Sequence, residues 1–296
     1  MSRLQSKWLN SLLGDEVSLA AYLSSDNMVM RAQQLQGLNK TLQHNVEDND
    51  WEAAITYAMK DLAVSTSDSV PLAAVALASE HFDSYFLSFQ ELPNGKAEQQ
   101  ALVLWTLKKR NLIQDQTAIE SRLRFQVMGK TANGYKLLVE ILHADAADHL
   151  NALQTRGCVI ADTVCRASHC VYNHVQRSDI TAPAALLYCE PDTLSGYYWG
   201  DDGVLSFYRD HTLSAHGASS MAEFATDVTS IIRRLEAGEW GKSLATVLVV
   251  SSSMSPAAGQ ALIEPLADRL SGVDIKAASF TGTDDPVLPM LWGDQA

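Results

Sequence analysis

Between Ala184 and Ala278 the chain spells out three short strands, a helix, a strand, a second helix and a last strand, and few folds accept that order. Ala184-Ala185-Leu186-Leu187-Tyr188 is an apolar run, and Thr193 to Trp199 carries the aromatic and β-branched residues of a second strand. Val204-Leu205-Ser206-Phe207-Tyr208 follows Asp201-Asp202-Gly203, a tight-turn signature, so the three segments predict a meander. Met221 to Leu235 then places Phe224, Val228, Ile231, Ile232 and Leu235 at helical spacing. Thr246 to Val250 reads as a buried strand, Ala257 to Leu270 as an amphipathic helix, and Val273 to Ala277 as the closing strand.

The first half carries weaker signals of the same kinds. Met1 to Leu13 predicts a short amphipathic helix with Leu4, Trp8, Leu9, Leu12 and Leu13 on one side; with only Arg3 and Lys7 for positive charge, docking onto the protein's own core is a better reading than a membrane surface. Glu16 to Leu23 and Met28 to Leu35 read as a hairpin turned at Ser24-Ser25-Asp26-Asn27. Helices are expected over Asn49 to Leu62, Lys96 to Lys109, Asp145 to Thr155 and Thr163 to Val175. Strands are expected over Leu72 to Ala78, Tyr85 to Phe89, Leu123 to Met128, Tyr135 to Leu142 and Cys158 to Ala161, the third and fourth turned at Asn133-Gly134. Arg177 to Pro183, polar and ended by proline, is the candidate hinge.

The stretches Leu186-Leu187-Tyr188-Cys189-Glu190-Pro191-Asp192-Thr193-Leu194 and Asp202-Gly203-Val204-Leu205-Ser206-Phe207-Tyr208-Arg209, with Leu102-Val103-Leu104-Trp105-Thr106-Leu107 and Gly157-Cys158-Val159-Ile160-Ala161-Asp162, carry a family resemblance. Over about residues 70 to 280 the chain resembles the PilM-type proteins of type IV pilus assembly, together with the related MshI proteins and the cytoplasmic part of the type II secretion protein GspL. The order of elements from Ala184 onward is half of an actin-like fold. The resemblance therefore implies an α/β protein of actin-like (ribonuclease H-like), two-lobed architecture, with mixed sheets flanked by helices. Its lobes would be residues 1–180 and 181–296. It further implies a cytoplasmic scaffold whose partner is a PilN-like bitopic membrane protein, its short N-terminal tail docking in a groove of the first lobe.

Actin-like proteins that bind ATP use glycine-rich turns, because bare backbone can approach phosphate, and nearby Asp residues that hold magnesium through water. Where the family has an Asp-x-Gly turn, Ser24-Ser25-Asp26-Asn27 has no glycine. The matching turn of the second lobe, Glu190-Pro191-Asp192-Thr193, sets a proline where N–H donors would face phosphate. Ser251-Ser252-Ser253-Met254-Ser255 stands in place of the Gly-Gly pair that lies against adenosine. These departures imply a pseudo-ATPase with no catalytic, cofactor-binding or metal residues to assign, binding ATP with magnesium weakly or not at all. The alternatives of the same fold are an ATP-binding nucleotide switch and a sugar or metabolite kinase; the latter needs an intact phosphate turn and a catalytic Asp.

Composition agrees with this reading. A chain of 296 residues with 47% hydrophobic and 19% charged residues can bury a sizeable core. A net charge of −13 opposes nucleic acid and favours a basic peptide partner. No apolar run is long enough to span a bilayer and the first 15 residues lack a signal-peptide core, so a cytoplasmic protein is expected, reaching the inner membrane through its partner. Homo-oligomers stay open. With no export signal, Cys158, Cys165, Cys170 and Cys189 are expected as free thiols.

Several tempting motifs have plainer explanations. Gly238-Glu239-Trp240-Gly241-Lys242-Ser243 ends like a phosphate loop but has two residues between its glycines where four are needed, and Gly238 reads as a helix C′ residue. Cys165/His169 and Cys170/His174 are i, i+4 pairs that on one helix lie about 140° apart, so they cannot share an ion. In His143-Ala144-Asp145-Ala146-Ala147-Asp148-His149, Asp145 is expected as an N-cap and Asp148 as a first-turn acid. His211, Ser214 and His216 are placed in a solvated connection. No Gly-x-Ser-x-Gly, HExxH or paired CxxC motif is present.

Overall fold

The computed structural model describes residues 17–34, 39–47, 50–61, 74–157, 164–176, 180–212, 218–252 and 256–277. Outside them lie the expected N-terminal helix, the strand expected over Cys158 to Ala161, Arg177 to Asp179 of the candidate hinge, and Ser214, His216 and Ser253 to Ser255.

Two five-stranded sheets share one plan. In the first, β1 (Val17–Leu23), β2 (Asn27–Gln34) and β3 (Asn39–Asn45) form an antiparallel meander, and β4 (Ala74–Leu77) and β8 (Val164–Arg166) add in parallel to give the order β3-β2-β1-β4-β8. In the second, β9 (Ala184–Cys189), β10 (Thr193–Trp199) and β11 (Leu205–Thr212) form the meander. There β12 (Thr246–Ser251) and β13 (Asp274–Ala277) add in parallel, giving β11-β10-β9-β12-β13. The strands of the first sheet all precede residue 180, and those of the second all follow it.

In the second sheet the strand and helix residues act through burial. Helix α6 (Ala218–Leu235) buries Phe224, Val228, Ile231, Ile232 and Leu235, as their spacing predicts, against Ala185, Leu187, Leu194 and Tyr198 of the sheet. Helix α7 (Pro256–Ala267) adds Leu262 and Leu266 to this core. Each buried Leu or Ile removes enough apolar surface from water to stabilise the fold by about 1.5–3 kcal/mol. Helix α6 runs on into a wide π-type turn, Glu236–Trp240, and ends at Gly241 with φ +63°. Gly241 is therefore the left-handed terminating residue, which corrects the expectation that Gly238 has that role.

Between β4 and β8 the chain inserts a smaller sheet, β5 (Phe82–Phe89), β6 (Leu123–Thr131) and β7 (Gly134–Leu142), in the order β5-β7-β6. Helix α2 (Lys96–Lys109) covers it, with Val103, Leu104 and Leu107 packed against Leu87, Leu123, Leu137, Val139 and Ile141. The remaining helices are α1 (Trp51–Asp61), α3 (Gln116–Glu120), α4 (Ala144–Thr155) and α5 (Ala167–Gln176). Three elements depart from expectation. Val164-Cys165-Arg166 belongs to β8 and pairs with Val75 to Leu77, so the helix expected from Thr163 starts at Ala167. Strand β3 and helix α3 have no counterpart in the sequence reading; NKTLQHN offers no apolar alternation for β3.

The compact units do not follow chain order. One comprises residues 1–78, 148–171 and 282–296, the other 79–147 and 172–281. The inserted sheet, though it lies N-terminal to residue 180, clusters with the second five-stranded sheet. Local contacts explain this: Lys136 on β7 pairs with Glu239 at 3.4 Å, and Val204 packs so close to Gly129 of β6 that a Cβ there would meet its methyl group at 2.7 Å.

Candidate functional site

The turn between β9 and β10 holds a buried carboxylate. Glu190 closes the hairpin, its N–H donating to the Thr193 carbonyl at 2.9 Å, with Pro191 and Asp192 exposed at the corner. Its side chain turns inward and is 2% exposed. The backbone N–H of Ser79, first residue of the single 3₁₀ turn Ser79–His81 after β4, donates to Glu190 Oε2 at 3.1 Å and to Oε1 at 3.3 Å. The Ser79 hydroxyl lies 3.4 Å from that of Ser195, which donates to Asp210 Oδ1 at 2.7 Å; the Tyr208 hydroxyl donates to the same oxygen at 2.5 Å. Burial, with the Glu190 charge beside it, pushes the Cys189 thiol up to about 12. A buried carboxyl group thus fills the inner side of the β9/β10 turn, and it occupies a backbone donor of the segment after β4. The acid could be read from the sequence, but its inward rotamer and its Ser79 partner, 111 residues away, could not.

The hairpin turn of the first sheet is closed by its own side chains. Ser24 is buried, its N–H donates to the Asn27 carbonyl at 2.8 Å, and its Oγ accepts from the Asn27 N–H at 3.0 Å. Asp26 Oδ1 accepts from Asn27 Nδ2 at 3.0 Å, and the Ser24 carbonyl takes the Trp51 indole N–H at 3.0 Å. At the end of β12, Ser252 is buried and its N–H donates to the Cys189 carbonyl at 2.8 Å. Ser251 Oγ accepts the Gly259 N–H of α7 at 3.1 Å, and a Cβ on Gly259 would sit 2.1 Å from that oxygen. Ser251 joins strand to helix directly, and Ser252 continues the pairing to β9.

The histidine clusters disperse. His143 faces Asp83 at 3.3 Å, whereas His149 packs edge-on against Trp51 at 5.5 Å. Helix α4 begins at Ala144, so Asp145 lies in the first turn rather than at the N-cap; the Ala146 N–H lowers its carboxyl below the usual range. His211 is a correction: it lies on β11, is 6% exposed, stacks edge-on against Phe224 at 5.2 Å and faces Asp227 at 3.7 Å. Burial first, then Arg209, lowers its pKa. Cys165 is a strand residue, so its supposed helical pairing with His169 does not exist, and its sulfur lies instead 2.9 Å from that of Cys170. Among the described residues, no group of three or more His, Cys, Asp and Glu side chains is placed to hold a metal ion.

No protein-family model matches the sequence, and no curated protein sequence does. Solved structures do match. The chain is similar to a structure of the PilM-PilN type IV pilus biogenesis complex, with 11% identity over 88% of each chain and a TM-score of 0.63. It is similar to a Bacteroides thetaiotaomicron protein of actin-like ATPase fold and unknown function, with 12% identity over 93% of this chain and 94% of that one and a TM-score of 0.55. The cytoplasmic domain of EpsL, an inner membrane component of the type II secretion system of Vibrio cholerae, gives 12% identity over 94% and 93% and a TM-score of 0.50. At these identities the likeness establishes the fold, which is actin-like, as the resemblance implied.

Proposed function

We propose that this chain is an actin-like scaffold protein of type IV pilus or type II secretion assembly that has given up ATP hydrolysis and works by holding an inner-membrane partner. The observation that carries the loss of nucleotide chemistry is Glu190. A phosphate brought to that turn would meet a buried acidic side chain whose oxygens already take the Ser79 N–H, so the turn presents acceptors where phosphate needs donors. The self-closed Ser24 turn supports the same reading, since its Asn27 donors are already used. Calorimetry with magnesium ATP tests it: no measurable binding is expected, and a micromolar Kd, worth about 8 kcal/mol, would favour a nucleotide switch or kinase instead.

The structural likeness to a PilM-PilN complex supports a PilN-like partner, a membrane protein whose cytoplasmic tail docks on this chain. No described helix is long and apolar enough to cross a membrane, so recruitment through such a tail would give the protein its peripheral place at the inner membrane in the cytoplasm. With a net charge of −13, the host favours a tail carrying Lys or Arg. Titration with the N-terminal peptide of a PilN-like protein from the same host should give saturable binding that weakens as salt rises. Absence of binding at low salt would remove the scaffold reading.

A further inference from the structure

The Cys165 and Cys170 thiols have no part in the scaffold reading, yet their sulfurs lie in contact. Cys165 lies on β8, paired through the backbone to Ala76 of β4, and Cys170 lies in the first turns of α5. Their sulfurs are 2.9 Å apart and both side chains are half-buried. A disulfide holds its sulfurs about 2.04 Å apart, so closure asks for a displacement of under about 1 Å. We propose that Cys165 and Cys170 form a redox-active dithiol, a modification site that a low-molecular-weight disulfide such as glutathione disulfide oxidises to an intramolecular disulfide.

In the first step one protein thiolate attacks the small disulfide, forming a mixed disulfide and releasing one glutathione thiol. The second protein thiolate then attacks the protein sulfur of that mixed disulfide and expels the second glutathione. The protein loses two protons and two electrons, which turn one glutathione disulfide into two glutathione thiols. The ring so closed spans only residues 165–170, and a short ring constrains the unfolded chain little. The bond would therefore be a reversible modification rather than a structural staple. It would tie edge strand β8 to helix α5 just before the chain leaves one compact unit at Val171 and enters the other at Tyr172. Cys189 stands in contrast: it is fully buried and its thiol is held protonated, which keeps it unreactive.

The test uses the full chain, reduced and then incubated with glutathione disulfide. Intact mass should fall by two hydrogens, and the number of titratable thiols in the denatured protein should fall from four to two. Trypsin cuts after Arg166, between the two cysteines, so the cross-link should appear as a joined pair of peptides that reduction separates. Cys165→Ser and Cys170→Ser should each abolish this product, while Cys158→Ser and Cys189→Ser leave it intact. Retention of all four thiols, a stable glutathione adduct, or a cross-link through Cys158 or Cys189 would overturn the assignment. None of these outcomes bears on the ATP or peptide titrations, so the two readings fail separately.

Discussion

The two five-stranded sheets have the same strand order and directions but are held in different ways at the hairpin turn and at the fourth strand. At the β1/β2 turn, serine, aspartate and asparagine side chains bond to one another and to local backbone, and the Trp51 indole N–H, 27 residues on, donates to the Ser24 carbonyl. At the β9/β10 turn, a buried acid reaches a backbone donor 111 residues earlier. After β4 the chain inserts a whole sheet before β8, whereas after β12 it passes through one helix to β13. One topology can thus be stabilised mainly by short-range polar closure or by a buried acidic side chain, and the second reaches much farther along the chain, 111 residues against 27.

The largest expected effects compare the central strands. Leu23→Ala on β1 and Leu187→Ala on β9 each remove a fully buried side chain, and each should cost about 2–5 kcal/mol. Denaturant unfolding measures both, and a loss below about 1 kcal/mol at either position would show that strand to be misregistered. The turns come next. Glu190→Ala leaves the buried Ser79 N–H without its side-chain acceptor and should cost about 1–3 kcal/mol, against about 0.5–1.5 kcal/mol for Ser24→Ala. Equal losses would erase the contrast drawn between the two closures.

Gly259→Ala probes the helix beside β12. A Cβ 2.1 Å from Ser251 Oγ must displace strand or helix, so a loss of about 1–3 kcal/mol is expected by thermal unfolding. The double variant with Ser251→Ala should recover part of it. The smallest effect is that of pH on β11. His211 is buried and its pKa is lowered, so the unfolded chain takes up its proton first as pH falls. Its contribution is fully present above the ordinary His value of about 6.5 and declines as pH drops below it. His211→Gln should flatten the stability profile between about pH 6.5 and 5, and an unchanged slope would place the acid sensitivity elsewhere.

Legibility differs between the sheets for a physical reason. Strand β10 and helix α6 could be read almost residue by residue, because nearly every described side chain on β10 is buried and α6 repeats a single apolar face. Strand β3, NKTLQHN, is an edge strand held by backbone pairing to β2, and polar edge residues leave no periodic trace. Strand β8 is three residues long and runs straight into a helix, so helical spacing masked it. The same holds at the candidate site. The missing glycines of both turns were visible, but the burial of Glu190 was not, since a lone acid before proline looks like a solvent-facing turn residue.

Sequence alone determined the order of strands and helices in the second half, from which the actin-like resemblance followed, and the absence of glycine from the β1/β2 and β9/β10 turns, because these rest on periodicity and residue chemistry local to a few turns of chain. Only the tertiary structure decided that residues 79–147 cluster with the second sheet, that Ser79 meets Glu190, that His211 lies beneath Phe224, and that Cys165 meets Cys170 across a strand-to-helix junction. Each of these depends on which way a side chain or segment turns once the core excludes water. That choice is made by packing among distant segments, which no local pattern records.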